Sequence, residues 1–300
     1  MVNYELLKTF VVAARARTFG VAAAERRVSV SAISQQVKAL ETQLGVPLFE
    51  RIGRRVQLTP AGRSLAATLD VALGRIDEAL ESVVTDHTVV QGAVAVGSPR
   101  TFGRHWLGPR LPALLSTHPA LTIKVEYGVP SLLERRLAEG HLDVVILARP
   151  SELPNIETRP IATETFVAVA APAYLARQGT PRTASDFRQH RYMVFDRDLA
   201  MHAPWWRASF GARVALPENI VCEVASLEQM MDLATAGAGI VVLPDYQVTG
   251  TVRDGALRIL EPARGQHTRQ RAARNTIFLA WRRGAIESAR LRVVREALGA

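Results

Sequence analysis

The sequence predicts an α/β chain in three parts: a basic head of short helices and a two-stranded hairpin, one long helix, and a C-terminal half in which strands alternate with helices. Three observations predict it. Apolar residues at helical spacing fill the first 45 positions and give way to two short extended runs around a glycine turn. Residues 60–84 then run as one amphipathic helical pattern. Beyond residue 90, apolar runs of strand length alternate with helical patterns, as in βαβ units. At 300 residues the chain is long enough to bury two or three separate cores.

Composition narrows the classes of function. With 48% apolar and 22% charged residues the chain is globular and not disordered. The formal net charge of +9 suits a polyanionic partner, because each cation set on a phosphate releases counterions. Its distribution says more. In residues 1–58, Lys8, Arg15, Arg17, Arg26, Arg27, Lys38, Arg51, Arg54 and Arg55 face only Glu5, Glu25, Glu41 and Glu50, so the partner-binding end is N-terminal. Cys222 is the only cysteine, which excludes an intramolecular disulfide or a CxxC pair, and in the run Ile220-Val221-Cys222 it reads as a small core residue. The seven histidines have no metal-ligand spacing, and GxxxxGKS/T, GxSxG and HExxH are absent. Gly237-Ala238-Gly239 lacks the third glycine of a dinucleotide loop and follows a helix. No enzymatic activity, metal or cofactor is expected. The N-terminus shows no signal-peptide order, and no apolar stretch approaches the roughly 18 residues that span a bilayer, so a cytoplasmic protein with no membrane partner is expected.

The head builds from its caps. Leu6, Leu7, Phe10, Val11 and Ala14 recur at helical spacing, and Thr18 caps a second short helix through Val21-Ala22-Ala23-Ala24. Ser29 caps a third helix whose Ile33, Val37, Leu40 and Leu44 face inward. Its outward stripe is Ser31, Ser34, Gln35 and Lys38, with Val30 at the helix start. Gln pairs bidentately with adenine, Ser bonds base or phosphate, and Val touches a thymine methyl, so this stripe fits a major groove. A merely solvated helix shows a polar face too, and the residues beyond the helix decide between the two. Gly45-Val46-Pro47-Leu48-Phe49 ends the helix, and Arg51 to Leu58 reads as two extended runs around a basic glycine turn. Such a wing sets Arg51, Arg54 and Arg55 along phosphates or into a narrow minor groove of double-stranded DNA.

The order Phe19, Ala22-Ala23, Val28-Ser29, Ala32-Ile33-Ser34, Gln36-Val37, Leu40-Glu41, Leu44-Gly45, Pro47-Leu48-Phe49-Glu50-Arg51 and Leu58-Thr59-Pro60-Ala61-Gly62 resembles the signature of the LysR-type transcriptional regulators. The resemblance spans nearly the whole chain and is most specific before residue 65. It implies a winged helix-turn-helix, a sequence-specific activator and/or repressor, modulation by a small-molecule effector, and RNA polymerase as a partner. It departs at Val30, where many relatives place Gln, while Ser31 stands where they place Pro or Ser. A base contact from the first turn is therefore lost or replaced by an apolar one.

Pro60 opens the long helix, and Leu65, Leu69, Ala72, Ile76, Ala79 and Val83 recur at alternating steps of four and three, a heptad seam. About 25 residues make a helix of about 37 Å. A single copy leaves the seam wet, so burial against a second copy is expected, with packing on the chain's own C-terminal half as the alternative. The resemblance favours a homodimer, with homotetramers also found, on a dyad-related operator.

In the C-terminal half, Ala93–Val96, Trp106–Leu115, Leu121–Tyr127, Leu132–Leu137 and Leu142–Leu147 read as βαβαβ with a mostly parallel sheet. A second set follows in Phe166–Ala170, Tyr192–Phe195, Ile220–Val224, Leu227–Ala236 and Ile240–Leu243. The segments Glu134–Val144 and Ala236–Pro244 also resemble the LysR-type effector domain, which implies that strand Thr276–Trp281 and helix Ala285–Leu298 return to complete the first lobe. The expected organisation is a DNA-binding domain at 1–58, a dimerisation helix at 59–89, and a two-lobed effector domain at 90–300 like a periplasmic solute-binding protein. Lobe I takes 90–163 and 270–300, and lobe II takes 164–269. Ser98-Pro99 reads as a helix cap and first-turn proline directly after a strand, and Ser226-Leu227-Glu228-Gln229 as a capping box, so two helix starts face the cleft. The cleft candidates are Ser98, Arg100, Thr101, Phe195 and Ser226, with Leu147 and Ala148 as apolar wall. Ser98 and Ser226 serve as caps in any case, and Arg100 reads also as a surface cation. The expected effector, of unknown identity, is a carboxylate or amino-acid-like metabolite.

Overall fold

The computed structural model describes residues 3–16, 18–52, 55–84, 90–263, 272–284 and 288–300. The chain divides into two units, Met1–Val89 and Val90–Ala300.

In the first unit, α1 (Tyr4–Arg15) is capped by Asn3, α2 (Phe19–Arg26) by Thr18 and α3 (Val30–Leu44) by Ser29, each side chain accepting from a first-turn N–H. Gly45, at φ 71°, ends α3 in the left-handed region. Ile33, Val37 and Leu40 are buried, whereas Leu44 at the last turn stays exposed. Phe10, Val11, Leu40 and Leu48 form one cluster, and Ala13, Ala22, Ala23, Ile33 and Val37 another. Phe49 joins them, its ring edge-on to Phe10 at 5.7 Å and to Phe19 at 5.2 Å. It opens β1 (Phe49–Ile52), which pairs antiparallel with β2 (Arg55–Leu58).

The hairpin is tied to the helices by backbone hydrogen bonds. The Glu41 carboxylate accepts from Leu48 N–H at 2.7 Å and Phe49 N–H at 2.9 Å. Thr59 donates its hydroxyl to the Pro47 carbonyl at 2.8 Å and its N–H to the Leu48 carbonyl at 2.9 Å, while accepting from Gly62 N–H at 3.0 Å. A Cβ at Gly62 would lie 2.1 Å from the Leu48 carbonyl oxygen, so only glycine lets the chain turn back this closely.

The long helix α4 (Pro60–Val84) does not leave its whole seam free. Leu65, Ala66 and Leu69 pack on the head's own core, and Leu73 is buried in it. Ala72 is half-buried, and among the described residues of the helix the large exposed apolar side chains are Ile76 (44%) and Leu80 (56%). The expectation of one seam for a partner is thereby corrected: its first two leucines fill the groove beside α1, where a core only three short helices thick needs a fourth wall. Ala79 and Val83 belong to the helix, but their side chains lie outside the described residues.

The second unit begins with β3 (Gly92–Ser98), α5 (Arg100–Phe102), a π turn (Gly103–Leu107), a 3-10 turn (Gly108–Arg110) and α6 (Leu111–Thr117). β4 (Leu121–Tyr127), α7 (Pro130–Glu139), β5 (Val144–Leu147) and β6 (Ile156–Ala170) follow. Then come α8 (Pro172–Gln178), α9 (Ala184–Gln189), β7 (Tyr192–Val194), α10 (His202–Phe210), β8 (Ile220–Glu223), α11 (Leu227–Thr235), β9 (Val241–Pro244) and α12 (Asp245–Arg253). β10 (Arg258–Ile259), β11 (Ala273–Arg282) and α13 (Ala289–Ala297) complete the chain. The main sheet runs β10-β6-β11-β5-β3-β4, with β9 also on β6. Val94, Val96, Val144 and Ile146 point into one layer and Val145 and Leu147 into the other, the alternation of a sheet covered on both faces.

The expectation of a mostly parallel sheet is corrected. β3 is parallel to β4 and β5, but β11 is antiparallel to β5 and β6, and β6 is antiparallel to β9 and β10. β6 serves both lobes: Ile156 packs in the first, and Phe166 to Ala170 in the second. Its first ten residues carry Thr158, Arg159, Pro160, Thr163 and Glu164, a polar crossing without clean alternation, which hides the strand from a periodicity reading. The register with β11 shifts beside Ile161, next to Pro160, where a proline that cannot donate is accommodated by a bulge.

Gly62→Ala is expected to lower the stability of the first unit by about 1–3 kcal/mol, because its methyl meets a backbone carbonyl. Gly74→Ala, with no heavy atom within 4 Å of the added Cβ, is expected to stabilise α4 by about 0.5–1 kcal/mol. Urea midpoints of the two variants moving in the same direction contradict this account.

Candidate nucleic-acid interface and ligand cleft

In the first unit, Ser31, Ser34, Gln35 and Lys38 form an exposed stripe on α3, and Val30 is 52% exposed at its start. Gln36 turns the other way, accepting a hydrogen bond from the fully buried Thr9 hydroxyl. One amide thus fixes α3 on α1 while its neighbour Gln35 faces outward. The Ser31 hydroxyl lies 2.8 Å from that of the capping Ser29. Val21 and Val28 add exposed methyl groups at the start of α2 and just before α3, a feature the sequence reading did not single out. Arg51 and Arg55 occupy facing strands of the hairpin, in register with Val56 and Ile52, and their side chains lie outside the described residues. Arg54 lies outside them altogether.

In the second unit the cleft candidates fall into two groups. Ser98 is fully buried beneath Gly103 and donates to the Pro99 carbonyl at 3.0 Å. Pro99 is the cap residue of α5, without a side-chain cap, so the expected Ser98 cap is corrected: the hydroxyl faces the packed π turn and not the helix start. Leu147 is buried in the lobe I core and forms no open wall, whereas Ala148 is exposed beside it. Phe195 is half-buried against the lobe II core.

The remaining candidates converge on a residue that the sequence reading held only as part of a cap. Thr101, 6% exposed, donates to Glu228 Oε1 at 3.1 Å. Ser226 donates to Glu228 Oε2 at 3.2 Å while accepting from Gln229 N–H, the forward half of the expected capping box. Arg100 lies exposed over the Tyr127 ring, 5.6 Å from its centroid. Partial burial pushes the Glu228 carboxyl upward, but its own backbone N–H, the two hydroxyls and the Arg100 cation outweigh that and hold it below the usual carboxylate range.

A second contact joins the lobes beside it. Tyr246 on α12 packs its ring against Phe102 and His105, and donates its hydroxyl to Glu164 Oε2 at 3.0 Å. Asn275 Nδ2 donates to Glu164 Oε1 at 2.9 Å from the adjacent strand β11. Glu164 is buried, and burial raises its carboxyl above the usual range despite these two donors. Phe102 in turn stacks on Trp106 at 5.4 Å, a pairing set by the π turn between them. No sequence pattern marks Tyr246, Glu164 or Asn275, which meet only through the fold. Among the described residues no cluster of His, Cys, Asp and Glu could hold a metal, and no helix is long and apolar enough to cross a membrane.

Residues 4–63 match the family model of bacterial regulatory helix-turn-helix proteins of the lysR family, and residues 87–300 match the LysR substrate binding domain. The "Probable hydrogen peroxide-inducible genes activator" of Streptomyces viridosporus is 30% identical over 277 residues, 89% of this chain and 83% of that protein. An uncharacterised HTH-type transcriptional regulator of Escherichia coli, YhjC, is 27% identical over 268 residues, 85% of this chain and 88% of its own. The structure of CrgA, a LysR-type transcriptional regulator from Neisseria meningitidis, superposes with a TM-score of 0.59 at 25% identity, over 99% of this chain and 98% of that one.

Because the folded-state carboxyl of Glu164 is raised, it contributes stability below the ordinary carboxylate range that is lost as pH rises through its folded pKa. Glu164→Gln, which stays neutral, is expected to grow more stable relative to the unsubstituted protein as pH rises through that window. A difference in urea midpoint that is independent of pH contradicts the assignment.

Proposed function

The chain belongs to the LysR-type transcriptional regulators, with a DNA-binding helix-turn-helix domain and an effector-binding domain, and from that premise we propose how each part acts. Sequence is read by Ser31, Ser34 and Gln35 in the major groove, with Lys38 of the same stripe on a phosphate, Val30 against a thymine methyl and Arg51, Arg54 and Arg55 along the flanking backbone. The observation that carries this reading is the exposed stripe on a helix whose far end is clipped to the hairpin by Glu41. A helix rigidly joined to its wing presents both to DNA in one geometry.

The functional division is 1–58 for DNA, 59–89 for dimerisation and 90–300 for sensing, in a cytoplasmic, non-enzymatic protein. The dimer, with a tetramer as its further state, forms through α4, where exposed Ile76 and Leu80 support association beyond the part that packs on the head. Two heads then meet the half-sites of a dyad-related operator. The effector is a carboxylate or amino-acid-like metabolite. The convergence of the Thr101 and Ser226 hydroxyls and the Arg100 cation on a carboxylate of the chain itself supports a position suited to carboxylates. Effector binding changes the geometry imposed on the operator, and hence contact with RNA polymerase, in activation or repression.

Gln35→Ala is expected to cost about 1–3 kcal/mol of specific operator affinity, and Lys38→Ala to weaken all sequences alike and lower the salt slope by about one. Gel shifts of genomic fragments in rising salt measure both. Unchanged specific affinity in Gln35→Ala removes the groove assignment. Ile76→Glu with Leu80→Glu is expected to shift sedimentation toward monomer while the thermal unfolding of each unit is kept. A dimer unmoved by the pair of charges means that α4 is not the contact.

A further inference from the structure

Thr101 and Glu228 are 127 residues apart in sequence and stand on different lobes of the sensor unit. The Glu228 carboxylate offers one oxygen to each lobe, Oε1 to Thr101 and Oε2 to Ser226. Thr101 is buried while Glu228 is half-exposed, so the donor of this bond is fixed by packing and its acceptor stays within reach of solutes. The same short segment, residues 100–105, also carries the rings that Tyr246 touches. One lobe-bridging contact is therefore a hydrogen bond to a carboxylate, and the other is a packing of rings.

We propose that the Thr101–Glu228 hydrogen bond is a latch between the lobes, and that an effector carboxylate releases it by taking the place of Glu228 on the Thr101 and Ser226 hydroxyls. The latch rests on the carboxylate reading of the effector. Each hydroxyl has one proton to donate, and both protons are engaged by Glu228. A second carboxylate arriving beside an ionised one is repelled unless the first swings away. Because Glu228 is tethered, it competes at a high effective concentration, and a free carboxylate meets a site that the chain itself already satisfies. Glu228 thus sets the threshold of the sensor. The Tyr246 ring against Phe102 and His105 keeps the lobes in apolar contact while the polar latch exchanges partners.

The test uses the full-length protein and three probes, acetate, glutarate and glutamate, titrated by calorimetry into the unsubstituted chain, Glu228→Ala, Glu228→Gln and Thr101→Val. Hydrogen exchange of residues 100–107 and 227–235 is followed without added probe. Glu228→Ala is expected to bind at least one of the probes about tenfold or more tightly than the unsubstituted chain, as expected when a tethered competitor is removed. Both Glu228→Ala and Thr101→Val are expected to speed exchange on both elements. Glu228→Gln keeps the side-chain shape, so a gain in affinity there isolates the charge in a folded protein. Equal probe affinity in all four proteins, or exchange unchanged by Thr101→Val and Glu228→Ala, overturns the latch and leaves the carboxylate reading standing. Binding of none of the probes by any of the four removes the carboxylate reading and the latch with it.

Discussion

The antiparallel pairing of β6 with β11 is the constraint on which the sensor unit depends. The two strands pair from Ile156 to Phe166 across one register shift, and their side chains enter the cores of both lobes. Hydrogen bonding along such a pair resists shear, so the lobes can change their relation only by bending or twisting it. The bulge beside Ile161 and the proline before it weaken the ladder locally. Glu164, two residues past Ala162, fastens the strand to Asn275 and Tyr246 just where the cores change over.

Two carboxylates of that region show how environment assigns role. Glu164 lies deep, and burial dominates over its two neutral donors, which favours the protonated form. Glu228 is shallower, and its own backbone N–H, two hydroxyls and a nearby arginine win over desolvation, which favours the ionised form.

In the head, rigidity is achieved without a large core. Glu41, Thr59 and Gly62 together hold the turn from α3 into the hairpin and the return into α4 through backbone bonds, so packing alone does not have to fix the wing. Leu65, Leu69 and Leu73 then extend the small core along the long helix. The outward stripe of α3 does not carry the anchoring on α1, which falls to Gln36 and the apolar face.

By itself the sequence determined the helices of the head, their caps at Thr18 and Ser29, the outward face of Ser31, Ser34, Gln35 and Lys38, and the strands β3, β4 and β5. These are local matters: capping joins residues three apart, and periodicity shows which side of a helix or strand is apolar. The motif residues Leu40-Glu41 and Thr59-Pro60-Ala61-Gly62 were legible as a pattern, but the bonds that explain them were not. The tertiary structure alone decided that Leu65 and Leu69 face the head, that Ser98 and Leu147 are sealed in lobe I, and that Thr101 meets Glu228. It alone carried Glu164, Tyr246 and Asn275 to one point. Contacts between residues far apart in the sequence leave no periodic trace, because what selects them is the closure of a packed volume and not the twist of any one segment.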